Sequence, residues 1–258
     1  MNHEAYHAIS AFYDRVNADI DYEAWADYME ENFRRHLPAR PTLMLDLACG
    51  TGSMTLALAR RGYDMIGVDG SADMLSIARD RAMNAGQPNI LYLLQDMREF
   101  ELYGTVGAVS CCLDSINYLI EDGDLEACFA TVHNYLDPDG LFLFDVNTPY
   151  KFEHIYGENS YIFEEEADDH LIFCGWQNYY DPDTRLCDFD LTVFTEDKRG
   201  KYRREDESHT ERCYTREEIT DALTQSGFTL LAVHGGTDFS EPNEQSERWH
   251  LVARAIKN

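Results

Sequence analysis

The sequence predicts an α/β fold: a doubly wound, mostly parallel sheet of seven strands with an antiparallel β insertion after the fifth. Three observations predict it. From Thr42 onward short apolar runs alternate with amphipathic ones, and such alternation calls for parallel strands with helices on both faces. Between about Ser160 and Tyr214 the alternation stops, and period-two runs joined by turn residues replace it. After Tyr214 a helical run and two strand-like runs bring the first pattern back.

Taken in order, the first 37 residues read as one or two helices crowded with Tyr6, Phe12, Tyr13, Tyr22, Trp25 and Tyr28. Such a stripe either packs the helix on the core or lies as an aromatic lid over a ligand. "TLMLDL" reads as a buried strand, "SMTLALARRG" as a helix ended by Gly62, and "YDMIGVD" as a second strand. "SADMLSIARDRAMNAG" puts Met74, Ile77, Ala78 and Ala82 at helical spacing, with Ser71 or Asp73 as cap and Gly86 as stop. "NILYLLQD", "GAVSCCLD" and "GLFLFDV" are three more strands, with the helix "DLEACFATVHNYL" before the last. The insertion contains "HLIFCGWQNYY", "RLCDFDLTVF" and "KYRREDESHTERCY", separated by "DPDT" and "EDKRG". "TREEITDALTQSG" then opens on a capping box, Thr215 with Glu218, ahead of "FTLLAVHG" and "RWHLVARAI". Three units result: 1–37 as a helical cover, 38–150 with 215–258 as the α/β domain, and 151–214 as the insertion.

The chain of 258 residues carries a formal charge of -27, from Asp+Glu 48 against Lys+Arg 21. That surface repels phosphate backbones and anionic lipids, so neither nucleic acid nor membrane is expected as a partner. No apolar run reaches the roughly 18 residues of a membrane span, and the N-terminus lacks the pattern of a secretory signal. Seven cysteines without a C-x-x-C pair read as reduced core thiols, a cytoplasmic setting and no metal site. The run Glu164 to Asp169 reads as a solvated loop or strand end.

Polar residues close the strands of the α/β half: Asp46, Asp69, Asp96, Asp114 and Asn147. In a doubly wound sheet those ends border the ligand site. Asp46 leads into "ACGTG", and Asp69 lies 23 residues further on (69 − 46), about the spacing at which a carboxylate accepts ribose hydroxyls. An adenosine is implied. The three-glycine fingerprint is incomplete in either register, and no Lys or Arg follows the turn before Arg60, so the tail of that adenosine is better cationic or zwitterionic than pyrophosphate.

"LDLACGTG", "GVDGSADML", "LLQDM" and "CCLDSINYL" resemble, in order and spacing, the motifs of class I S-adenosylmethionine-dependent methyltransferases, over residues 40 to 150. The resemblance implies a Rossmann-like sheet that binds S-adenosyl-L-methionine. On it, the turn from Asp46 through Ala48, Gly50 and Gly52 approaches the methionine part, and Asp69 holds the ribose. Gly70 and Met74 flank the adenine, Asp96 and the Met97 backbone meet its amino group, and Leu113 with Asp114 closes the site near the sulfonium. Many relatives carry glycine where Ala48 stands. The N-terminal segment and the insertion are similar to those of sugar-amine and glycine N-methyltransferases, which implies a small-molecule acceptor and places Tyr13, Tyr22 and Trp25 over the cofactor. A nicotinamide-dependent oxidoreductase would need the missing third glycine, while a cofactor-binding sensor or interaction module would need no acceptor.

A base would help an amine or hydroxyl acceptor. His154, His209 and His250 qualify by residue type, and His209 otherwise reads as a surface strand histidine. Asn117 and Tyr118 follow strand four and either face the acceptor or cap a helix. Trp176, Tyr179 and Tyr180 line an acceptor pocket or pack the inserted sheet, and Arg212 anchors an acidic acceptor or neutralises Glu207 or Glu211. A homodimer through the edges of the insertion is a further expectation.

Overall fold

The computed structural model describes residues 13–157, 159–167 and 170–257; Tyr6 and Phe12 lie outside them. Two helices, α1 (Tyr13–Val16) and α2 (Tyr22–His36), precede β1 (Leu43–Leu47). The α/β part continues through α3 (Ser53–Arg60), β2 (Asp64–Asp69), α4 (Ala72–Asn84), β3 (Leu91–Leu94), β4 (Val106–Cys111), α5 (Asp124–Tyr135) and β5 (Leu136–Asn147). One wide π turn, Lys151–Tyr156, leads into β6 (Ser160–Ala167), β7 (His170–Asp181), β8 (Leu186–Glu196) and β9 (Tyr202–Arg212). The chain returns through α6 (Arg216–Gln225), β10 (Phe228–His234) and β11 (Arg248–Ala255).

The main sheet runs in the order β10-β11-β5-β4-β1-β2-β3. Strands β1 to β5 pair in parallel, and β11 is inserted antiparallel between β5 and β10. The strand order reverses between β1 and β4, which opens a crevice beyond their carboxyl ends. Period-two alternation divides the core: Leu45, Leu47, Phe142 and Phe144 face α5 and α6, while Met44, Leu141 and Leu143 face α2 and α3. All seven cysteines are buried free thiols.

The second sheet is the antiparallel meander β6-β7-β8-β9. Its inner face carries Cys174, Cys187, Phe189, Leu191 and Val193 against Phe152. On the outer face of β8 and β9, Thr210 donates to Asp188, Ser208 to Asp190 and Thr192 to Asp206, each at 2.7 Å. These cross-strand pairs spend the acids of the outer face on hydroxyls. Glu164 to Ala167 close β6 as a strand end. The strand β5 starts at Leu136, where the sequence had suggested the last helical residue; the irregular register between β4 and β5 at Val106 to Ala108 absorbs the early start.

The meander rejoins the main sheet at α6. Thr215 Oγ1 accepts from Glu218 N at 3.2 Å, and the Glu218 carboxylate accepts from Thr215 N at 2.8 Å. Both guanidinium nitrogens of Arg185, in the β7–β8 turn, donate to the same Glu218 at 2.7 Å. Thr215→Ala therefore removes one cap and loosens the seam; a loss of about 1 kcal/mol in urea unfolding is the expected outcome.

Candidate active site

Beyond β1 the backbone takes the left-handed conformation at Ala48 (φ 55), Gly50 (φ 52) and Gly52 (φ 75). A Cβ on Gly52 would stand 2.7 Å from Tyr92 Oη and 2.9 Å from Ala78 Cβ, so glycine lets the turn settle on α4 and β3. The Asp69 carboxylate holds the turn from the next strand, accepting from Gly50 N and Ser71 N, both at 2.8 Å. With the Gly70 backbone as a third donor, about one of the four lone-pair positions is left for a ligand. Burial raises the Asp69 carboxyl above its ordinary range, and the backbone donors of Ser71 and Gly50 oppose that rise.

Ala48, Gly50, Asp69, Gly70, Met74 and Met97 line one elongated cleft, with Val68, Ser71, Gln95 and Ser115 completing it. Its lining combines the apolar Met74 and Met97 with the Asp69 carboxylate, which suits an adenosine. A recess continues from it toward Asp46, Thr51, Ser53 and Tyr22. Asp46 accepts from Thr55 Oγ1 at 2.6 Å and Ser110 Oγ at 2.9 Å, and burial pushes its pKa up to about 6. Burial likewise pushes the Tyr22 hydroxyl up to about 12. A recess walled by a carboxylate and devoid of Lys or Arg in its lining fits a cationic tail. The donor set therefore fits S-adenosylmethionine.

After β4 two consecutive non-glycine residues, Leu113 (φ 60) and Asp114 (φ 55), take the left-handed conformation, at about 1–2 kcal/mol each. Asp145 on β5, fully buried, holds them: its carboxylate accepts from Leu113 N at 2.7 Å and Asp114 N at 2.9 Å. Arg248 on β11 donates to Asp145 and, at 2.6 Å, to Asp114. Burial alone would raise the Asp114 carboxyl; the Arg248 guanidinium, the larger opposing charge, brings it below the usual carboxylate range.

A second chamber lies under the inserted sheet. Tyr156, Trp176, Phe189 and Leu191 wall it, and Asp114, Lys151, His209, Glu211 and Arg248 supply its polar groups. Tyr13 and Leu113 border cleft, recess and chamber together, and Tyr118 borders cleft and chamber. Helix α1 is fastened there by Asp14, which accepts from Thr51 Oγ1 at 2.7 Å and pairs with Arg81. The Tyr13 hydroxyl titrates well above the ordinary range through burial, then through the nearby Asp114.

Of the remaining sequence candidates, His209 and Trp176 line the chamber and the others lie outside it. Trp25 packs its ring on His250, centroids 4.8 Å apart, outside the lining of the three spaces. Asp96 turns to Arg98, which donates at 2.9 and 2.6 Å and also grips Asp124; its neighbours Gln95 and Met97 line the cleft instead. Asn117 is fully buried, donating to Arg212 O and accepting from Asn147 N, both at 2.9 Å, so it ties β5, β9 and the post-β4 turn together. His209 lines the chamber with Nε2 2.6 Å from Glu207. Tyr179 is 58% exposed, while Trp176 lines the chamber. Arg212 donates to Ile120 O and Asp122. His154, 59% exposed in its side chain, pairs with Glu153. Gln95, Ser115, Lys151, Tyr156, Glu211 and Arg248 escaped sequence reasoning. Of these, Gln95 and Ser115 adjoin motif residues, so adjacency was the signal; the others carry no local one.

Residues 44–140 match the family described as "Methyltransferase domain". The chain is 33% identical to YqeM of Bacillus subtilis (strain 168), a protein named as a methyltransferase, over 98% of each chain. It is similar to the crystal structure of an S-adenosylmethionine-dependent methyltransferase from Clostridium acetobutylicum ATCC 824: 30% identity, TM-score 0.85, 98% of this chain and 99% of that one. A shorter match, 36% identical over 52% of this chain and 51% of the other, is to dTDP-3-amino-3,6-dideoxy-alpha-D-glucopyranose N,N-dimethyltransferase of Streptomyces fradiae.

Truncating Asp145 leaves Arg248 half-paired and two backbone N–H groups without their acceptor. Asp145→Ala is expected to cost about 3–5 kcal/mol in chemical denaturation, against a much smaller loss for the exposed Asp122→Ala.

Proposed function

The chain belongs to the S-adenosylmethionine-dependent methyltransferases, and on that premise we propose that it methylates an amine nitrogen of a small molecule bound in the chamber under the inserted sheet. The observation that carries the reading is the shared wall: Tyr13, Leu113 and Tyr118 border both the nucleoside cleft and the chamber, so a group held in one meets a group held in the other. Bound S-adenosylmethionine supplies an electrophilic methyl group on a sulfonium. The residues that would hold it are Asp69 at the ribose, Met74 and Met97 about the adenine, and Asp46 with the Ala48–Gly52 turn at the methionine end. Tyr13 and Tyr22 would cover it.

Several features support an amine. The chamber has the aromatic walls Tyr156, Trp176 and Phe189 and the Asp114 carboxylate, and aromatic faces attract cations. The relative from Streptomyces fradiae is named for N,N-dimethylation of an amino sugar. The protein's work would be alignment and exclusion of water, since the methyl needs no metal or covalent nucleophile to become reactive. The inserted sheet would enclose the acceptor, with Trp176 and Tyr118 against its body, and Asn117 would position that wall. Among the described residues no helix is long and apolar enough to cross a membrane.

Incubation with S-adenosylmethionine and a library of amines and alcohols, read as S-adenosylhomocysteine release and acceptor mass, tests the reading. Turnover of amines is the expected result; turnover of alcohols alone reassigns the acceptor to oxygen. Asp69→Ala should weaken S-adenosylmethionine binding by tenfold or more in calorimetry, as expected for charge-assisted hydrogen bonds worth about 1.5–3 kcal/mol. The Asp46 carboxyl, raised to about 6 from an unfolded value near 3.9, favours folding in its protonated form; this contribution is full below the unfolded value and is lost as pH rises through about 6. Ionised Asp46 instead favours the cationic ligand. Cofactor affinity should therefore fall by up to about tenfold from pH 7 to pH 5, with a flatter profile in Asp46→Asn.

A further inference from the structure

Lysine is scarce in this chain: only four occur, at 151, 198, 201 and 257. Lys198 and Lys201 are exposed in the β8–β9 turn, and Lys257 donates to backbone carbonyls after β11. Lys151 differs. It opens the π turn after β5, and its backbone N donates to Thr148 Oγ1 at 3.3 Å. Thr148 itself is fixed through bonds to Glu247 O and Ser246 O. The Lys151 side chain lines the chamber. Its Nζ donates to Asn147 Oδ1 at 3.1 Å and stands 5.0 Å from the Tyr156 ring centroid. Among the described residues no carboxylate lies within ion-pairing distance of Nζ. One Nζ position is taken, and among the described residues the others have no hydrogen-bond partner.

We infer that Lys151 is a catalytic residue of the reaction proposed above, the base whose uncharged Nζ takes the proton from the acceptor's ammonium; the inference rests on that reading. The N–H bond of the acceptor breaks, an Nζ–H bond forms, and the lone pair stays on the acceptor nitrogen, which is then nucleophilic. Lysine suits the exchange because an amine held uncharged at working pH has a lone pair ready to accept that proton. Carboxylates are poorer candidates here. Asp114 is held by Arg248 below the ordinary range, and Glu211 is pushed well above it by burial and by Asp114, so it keeps its proton. His209 Nε2 faces Glu207.

The groups facing Lys151 come from four other elements: Arg248 on β11, Glu247 just before it, Asp114 after β4, and Glu211 on β9. Tyr156 faces it from its own turn. Burial, then Arg248, lowers the Lys151 pKa, against the opposing pull of the acids. Burial of this kind, beside another cation, is a recognised way of obtaining an uncharged lysine.

The test uses the full chain carrying 13C-labelled lysine, saturated with S-adenosylhomocysteine, and follows the four Cε shifts against pH; Lys151→Arg assigns one signal by its loss. Lys151 should titrate at lower pH than the other three, and titration together with them overturns the inference. With any amine turned over, Lys151→Arg should lower kcat by about 10²–10⁴-fold, leave the KM for S-adenosylmethionine within about twofold, and abolish the acid limb of the kcat/KM profile. Wild-type kcat in Lys151→Arg would make the lysine an anchor for a negative group and overturn its role as base, as would loss of the acid limb only in His209→Asn. If no amine is turned over, the proposed function fails, while the lysine titration still reads the state of Nζ independently.

Discussion

A single buried carboxylate organises the centre of this protein. Asp145 has no solvent exposure, so its charge must be matched inside the fold. The matching groups are two backbone N–H donors of the turn after β4 and the guanidinium of Arg248. That arrangement holds Leu113 and Asp114 in left-handed geometry, where Leu113 forms the partition between the two binding spaces. Because Arg248 sits on β11, the antiparallel insertion of that strand beside β5 is a condition for the partition. Topology and chemistry are linked at one ion.

A second network fastens the front of the cleft. Asp14 on α1 reaches the hydroxyl of Thr51 and the guanidinium of Arg81 on α4. Thus the short helix carrying Tyr13 is tied to the turn that follows β1. Helix α2 is fixed separately through Arg61, which donates to Glu23, Asp27 and Glu30. Of these acids Glu23 and Asp27 are largely exposed and contribute little individually; Ala26, Met29 and Phe33 in the core hold α2 more firmly.

The strand-end acids were legible in the sequence because each one ends an apolar run, and the parallel architecture brings all such ends to one edge. Asp46 and Asp69 needed nothing more. Asp96 shows the limit of the rule: it ends a strand as expected, but Arg98, two residues on, draws its carboxylate aside. The chamber was much less readable. Lys151, Glu211 and Arg248 come from the turn after β5, from β9 and from the antiparallel β11, and meet only in the folded chain. Strand parity decided another case. Trp176 and Tyr179 stand three apart, so they point to opposite faces, and no local signal told which face would be inward. Asn117 had the right place and the wrong availability, since backbone groups use both ends of its amide.

The two binding spaces draw on different parts of the chain. Cleft and recess are lined by the strand ends and turns of the main sheet together with α1 and α2, whereas the chamber takes Trp176, Phe189, Leu191, His209 and Glu211 from the meander. Such a division lets selectivity diversify by replacement of meander residues, without retuning the nucleoside grip. On the proposed reading, copies of this scaffold would accept new metabolites while the methyl source stays the same, with the innovation confined to one face of a four-stranded sheet.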